Sequence, residues 1–169
     1  MDDRAKYALD VLKSRRSHRK FKPDPVSRED LERIVDAGRL AATARNVQPW
    51  HFVVVTDPAM RRRIAEITEH GKFIADAPAC IVVLCEDTKY FIEDGSAATQ
   101  NILLAAEALG LGTCWVAGDK KPYASDIVKL LGAPANMKLV AHVAVGRSAQ
   151  EASRAAKKPV AEVLHWEKF

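Results

Sequence analysis

Apolar residues at Tyr7, Ala8, Val11 and Leu12 recur at helical spacing, which predicts a first helix running into a basic stretch and ending before Pro23 and Pro25. Ser27 with Asp30 three positions on reads as a capping box, and Val26 with Leu31 as a hydrophobic staple. The helix opening there turns Leu31, Ile34 and Val35 inward, and its pattern fades after Gly38 into the small and polar residues Ala41 to Asn46. Trp50 to Val55 is a β-branched strand stopped by Thr56, Asp57 and Pro58. Asp57 as cap and Pro58 at the first helical position start a third helix on Met60, Ile64 and Ile67.

Beyond Pro78, Ala79 to Cys85 is apolar throughout, the pattern of a strand covered on both faces. From about Ile92 to Leu109 a helix rich in alanine has almost no polar face, which predicts burial within the domain or between subunits. Gly110 ends it, Thr113 to Val116 forms a short third strand, and Tyr123 to Leu131 is a further amphipathic segment closed by Gly132 and Pro134. Leu139 to Val145 is the last internal strand. Residues 146–169 are mostly polar and Ala-rich, yet finish on Val160, Val163, Leu164, Trp166 and Phe169, apolar groups that need a surface and could find it on a partner subunit.

With 169 residues, 48% of them hydrophobic, the chain is expected to be one domain with a core that needs no disulfides. Cys80, Cys85 and Cys114 form no CxxC pair and sit in apolar runs, where a thiol behaves as a small hydrophobe. The charged N-terminus leads into no long apolar stretch, so a cytoplasmic location without a membrane partner is expected. Net charge is +4, and residues 1–28 alone carry +5. Lys13 to Lys22 holds six cations and no acid, the pattern of a localised anion site or of a solvated helix end whose cations complement the dipole.

Within that run, Arg15-Arg16-Ser17-His18-Arg19-Lys20-Phe21 offers planar guanidinium donors and a short hydroxyl donor, chemistry suited to one phosphate on a ligand. A nucleic-acid face would spread its basic groups wider among exposed aromatics, and no nucleic-acid partner is expected. His18, His51, His70, His142 and His165 show no HxxxH or HxH spacing, so no metal site is read; His142, inside an apolar strand, is expected to be a hydrogen-bonded core residue. No serine sits in a GxSxG elbow. Alternating strands and helices suggest a doubly wound parallel sheet, but Gly110-x-Gly112 follows a helix and precedes a strand, the reverse of a dinucleotide fingerprint.

Three blocks, in order, carry a family resemblance: Arg15 to Phe21 with Asn46-Val47-Gln48-Pro49-Trp50; Asp94-Gly95, Gln100 to Ala106 and Leu109 to Trp115; and Lys157 to Val163. Together they resemble the nitroreductase family of flavoproteins over nearly the whole chain. The resemblance implies an α+β fold, a three-layer sandwich with a central mixed or antiparallel sheet flanked by helices. It also implies an intertwined homodimer with exchanged C-terminal tails (146–169) and two FMN sites at the interface. Carried over residue by residue, Arg15, Arg16, Ser17 and Arg19 would hold the phosphate and ribityl chain from one subunit. Thr43, Ala44, Asn46 and Gln48 would approach the flavin from the other, and Trp115, Val116, Ala117 and Gly118 would line the ring edge through backbone groups. Lys157 stands where the family usually has a phosphate-binding arginine, and Ala42-Thr43 where it commonly has Pro-Ser.

The function implied is NADH- or NADPH-dependent reduction of FMN, followed by ping-pong transfer to a small-molecule acceptor, nitroaromatic or quinone-like. No catalytic side chain is assigned, because flavin chemistry needs position and charge from the protein rather than a nucleophile. The alternatives are a flavin-dependent dehydrogenase, an FMN carrier or sensor without turnover, and, more distantly, a basic nucleic-acid-binding module.

Overall fold

The computed structural model describes residues 1–151 and 155–169. In chain order its elements are α1 (Asp3–Ser14), α2 (Arg28–Arg39), β1 (Trp50–Val55), α3 (Pro58–Ile67), β2 (Ala79–Cys85), α4 (Phe91–Ala108), β3 (Gly112–Ala117), α5 (Ala124–Leu130) and β4 (Lys138–Gly146). Short 3-10 turns occupy Ala44–Asn46, Lys72–Ala75 and Val160–Glu162. The four strands pair antiparallel throughout in the order β1-β2-β4-β3.

Strict alternation along β2 builds two cores. Ala79, Ile81, Val83 and Cys85 face one with Leu31 and Ile34 of α2 and Ala98 and Ile102 of α4; Cys80, Val82 and Leu84 face the other with Ile64 of α3 and Ile127 of α5. The result is three layers, α2 and α4 above the sheet and α3 and α5 below it, as the α+β reading expects. Gly95 lets α4 lie close on the sheet, since a Cβ there would come within 2.7 Å of Val140 and 3.0 Å of the Cys85 sulfur. At the other end of α4, Gly110 takes φ +71° and donates its N–H to Glu107 O, while Leu111 donates to Ala106 O. That is a Schellman stop, with Leu111 and Ala106 both in the first core.

Local signals formed with two corrections. Ser27 caps α2 by accepting from Asp30 N–H at 3.0 Å, but the Asp30 carboxylate meets Arg33 at 3.2 Å, so the expected box is a single cap in which an i, i+3 ion pair takes the acid. His142 is wholly buried as expected, yet among the described residues neither ring nitrogen has a hydrogen-bond partner. Its strand neighbours Val82 and Val116 belong to the second core, so the ring points into apolar side chains with nothing to receive it.

Two segments keep apolar groups uncovered. No residue of α1 is buried, and Tyr7, Leu9 and Leu12 are exposed. Residues 155–169 are exposed throughout, with Trp166 at 75% and Phe169 fully open; residues 152–154 of the expected tail lie outside the described residues. Among the described residues no helix is long and apolar enough to cross a membrane.

Candidate functional site

The basic segment is fixed at the start of β3. Ser17 bridges to Thr113 in parallel, and His18 N–H donates to Thr113 O at 2.8 Å. A few residues on, Lys22 N–H donates to Arg147 O at 2.8 Å and Ala149 N–H to Lys20 O at 3.0 Å, so the segment lies between β3 and the exit of β4. Two prolines and a run of cations make this stretch a poor helix, and its backbone groups find partners on the sheet instead.

Its cations divide by use. Arg16 turns one guanidinium nitrogen back on the carbonyls of Lys13, Ser14 and Arg15, at 2.6, 3.2 and 2.8 Å, closing the C-terminal end of α1. Among the described residues, Arg15, Arg19, Lys20 and Lys22 meet no carboxylate within ion-pairing distance. Arg15 is half-buried, while Arg19 and Ser17 are exposed. Both arginines lower the Cys114 thiol, but burial dominates and the thiol is held above its ordinary value. Burial pushes Cys80 and Cys85 up to about 12, so all three thiols stay protonated.

At the far end of α4 stands the second group. The Thr43 hydroxyl donates to Asp94 Oδ2 at 2.9 Å, Ala44 N–H donates to Asp94 Oδ1 at 3.0 Å, and Gln48 N–H donates to the Thr43 oxygen at 3.1 Å. Arg45, Asn46 and Gln48 take φ of 54°, 57° and 53°, three left-handed non-glycine residues in a stretch of four. Such clustering marks functional loops, because the strain persists only where the surroundings over-determine it. Asn46 and Gln48 are exposed, and Gln48 Nε2 donates to Asn46 Oδ1 at 3.2 Å, leaving an amide donor and an amide acceptor facing outward.

β3 links the two ends. It is the edge strand, so half of its backbone polar groups point away from β4. Thr113 spends its outward carbonyl on His18, and beyond it the outward backbone groups of Trp115 and Ala117 have no backbone partner among the described residues, while Val116 between them pairs with His142 of β4. Trp115 packs half-buried against the first core, so only its backbone faces outward; Val116 is buried in the second core, Ala117 is exposed, and Gly118 N–H donates to Val140 O at 2.9 Å.

The two groups do not converge within one chain. Ser14 Oγ donates to Glu107 at 2.6 Å and Tyr7 to Ala108 O at 3.1 Å, tying the basic end to the C-terminus of α4, whereas Thr43 is tied to its first turn. Thirteen residues of helix separate Asp94 from Glu107, about 20 Å. Lys157 is exposed on the tail. A surface groove of about 730 Å³ between α2 and β1 is lined by Pro25, Leu31, Val35 and Val54, among others, and holds none of the expected site residues.

Asp94 is the buried partner of this loop that sequence reasoning named without a role. Its signal was legible: positions 94, 98, 102 and 106 form one stripe of α4, and the other three are Ala98, Ile102 and Ala106. An acid on that stripe must be buried and bonded.

Comparison with known proteins identifies the family. The nitroreductase family model matches residues 12–88 and 68–147. A relative from Archaeoglobus fulgidus, named as an NADH dehydrogenase/NAD(P)H nitroreductase, is 38% identical over 146 residues, covering 82% of this chain and 83% of its own. The crystal structure of a Bacteroides thetaiotaomicron protein of the same name superposes with a TM-score of 0.91 at 30% identity, over 96% of this chain and 98% of the other. A Desulfovibrio desulfuricans nitroreductase solved in complex with FMN superposes at 0.85 and 32% identity, over 96% and 97%. The chain belongs to the nitroreductase family.

Proposed function

We propose that this protein is an FMN-dependent oxidoreductase that takes hydride from NADH or NADPH and passes it to a small nitroaromatic or quinone-like acceptor by a ping-pong cycle. The observation that carries the reading is the pairing of uncompensated cations at one end of β3 with an exposed amide donor and acceptor on a strained loop near the other. A phosphate needs the first, and the pyrimidine edge of a flavin, which alternates donor and acceptor, needs the second. The donor set therefore fits FMN.

In this reading Arg15, Ser17 and Arg19 bind the phosphate and ribityl chain, with Lys157 joining from the tail, and Arg16 supports them by fixing the end of α1. The outward backbone of Trp115 and Ala117 borders the ring, held in place by Val116 and Gly118, which pair with β4. Because the loop 43–48 lies at the opposite end of α4, the ring edge is met by Asn46 and Gln48 of a second copy, in a homodimer whose exposed α1 and tail supply the contact. Bound FMN supplies hydride acceptance and donation, and the chain supplies position, charge and exclusion of competing reactions. Protonated thiols and the neutral His142 take no part in proton or group transfer. One domain, residues 1–169 with 146–169 as its partner-wrapping tail, contains all of these parts.

The purified protein should be yellow, release FMN on denaturation, and lose its flavin colour anaerobically on addition of NADH or NADPH. Failure to bind added FMN overturns the proposal. Binding with no NAD(P)H-driven turnover in the presence of nitroaromatic or quinone acceptors makes it a carrier instead.

A further inference from the structure

We infer that Asp94 is the positioning residue of the loop 43–48 and acts on the cofactor through the Thr43 hydroxyl; the inference rests on the proposal that this loop meets the flavin ring. Asp94 is only 4% exposed, and among the described residues no cation lies within ion-pairing distance of it. Its carboxylate is kept in the protein by two loop donors, the Thr43 hydroxyl and Ala44 N–H, and by its place in the first turn of α4, where the helix dipole favours negative charge.

Thr43 is the joint. Its oxygen gives its proton to Asp94 and accepts Gln48 N–H, so one hydroxyl fixes both ends of a six-residue loop. Between those bonds lie the left-handed Arg45 and Asn46, and Gln48, also left-handed, donates the second. None of the three is glycine, so their conformation is held by the clasp rather than by local preference. The loop then divides its labour. Thr43 and Ala44 spend their polar groups inward on Asp94, and Asn46 and Gln48 hold their amides outward. Asp94 touches no part of the outward face and sets it through Thr43.

Thr43→Val keeps the shape and removes the hydroxyl, Thr43→Ser restores it, and Asp94→Asn removes the charge. FMN affinity by fluorescence titration, the visible band of the bound flavin and the thermal midpoint of the flavin-free dimer are measured for each. Thr43→Val and Asp94→Asn should weaken FMN binding by about tenfold or more and shift the band, with Thr43→Ser within about threefold of the natural protein. If Asp94→Asn does not fold, Thr43→Val against Thr43→Ser decides alone. A folded Thr43→Val protein with unchanged affinity and band, while Gln48→Ala loses affinity, overturns the role of the clasp and leaves the proposed function standing. A natural protein that binds no FMN overturns both.

Discussion

His18 Nδ1 lies 2.8 Å from Ser148 Oγ across 130 residues of sequence, joining the basic segment to the root of the C-terminal tail. Ser148 also donates to Gln150 O, so its oxygen accepts from His18, which fixes the proton on Nδ1. The same ring covers Gly112, where a Cβ would come within 2.8 Å of its Cγ. His18→Leu and Ser148→Ala should each cost about 1 kcal/mol by losing one half-buried hydrogen bond. His18→Asn, whose Nδ2 donates from nearly the same place, should recover most of it. Urea unfolding of the three variants measures this, and equal midpoints for His18→Leu and His18→Asn would show that the bond carries no stability.

The arginines should separate by readout. Arg15→Ala should weaken FMN binding by about tenfold to a hundredfold, the loss of one charge-assisted hydrogen bond of roughly 1.5 to 3 kcal/mol, without unfolding the chain. Arg16→Ala removes the group that meets three carbonyls at the end of α1, so it should lower the thermal midpoint as well as the affinity. Fluorescence titration beside thermal melting distinguishes them. Equal FMN affinity in Arg15→Ala and the natural protein removes Arg15 from the site.

Much of this was legible because it is local. Periodicity and caps located the four strands and α2 to α5 to within a residue or two, while the end of α1, at Ser14, was bounded only by Pro23; the alternation of β2 between two cores follows from its unbroken apolar run. Strand order was not legible, since β1-β2-β4-β3 depends on pairings between distant segments. The cations of 15–19 were read from charge alone, but their division into a helix-end brace and unpaired donors depends on where each side chain turns. Thr43 and Ala44 were expected beside the flavin with Asn46 and Gln48; the clasp that turns the first pair inward needs Asp94, 51 positions away from Thr43. His142 was expected to find a partner because buried polar groups nearly always do, and an apolar cluster on its side of the sheet leaves it none.

That unpartnered ring makes stability depend on pH. Burial lowers His142 from its ordinary 6.5 to about 4; the Val116 backbone opposes the shift but meets neither nitrogen in hydrogen-bonding geometry. The unfolded chain therefore takes up a proton below about 6.5 and the folded chain only below about 4, so the contribution is whole above 6.5 and falls with pH across that window. Between pH 7 and pH 5 the loss should be about 2 kcal/mol. His142→Leu should remove that part of the slope and gain stability at pH 5. Urea unfolding at both pH values, with protein and FMN concentrations fixed, tests it; an unchanged slope in the variant would mean that the ring is protonated or hydrated in the folded protein.

The exposed tail should carry assembly. Val160, Val163, Leu164, Trp166 and Phe169 are all exposed in the single chain, and covering apolar surface contributes about 25 cal/mol per Å². Deleting residues 160–169 should weaken the dimer and lower flavin content together. Sedimentation velocity with the absorbance of bound flavin reads both, and a truncated protein that remains a fully loaded dimer would rule out the tail as a wrap.

Whether each site is shared is decided by mixing subunits. If Arg15 of one copy and Gln48 of the other serve the same flavin, Arg15→Ala and Gln48→Ala proteins are each defective at both sites of their own dimer. In a mixed dimer one site receives both substitutions and the other neither, so one of the two sites is intact. If both residues served the flavin of their own chain, every site of the mixed dimer would carry one defect, and mixing would restore nothing. The separation of about 20 Å along α4 between the Glu107 and Asp94 ends favours the shared arrangement. Subunits exchanged by mild denaturation and refolding, with FMN present below the Kd of either parent variant, should recover bound flavin to about one site in each mixed dimer. Recovery to that level requires a partner's loop at the ring. No recovery, with subunit exchange verified by differently tagged chains, puts both ends of the cofactor on one chain and overturns the shared site.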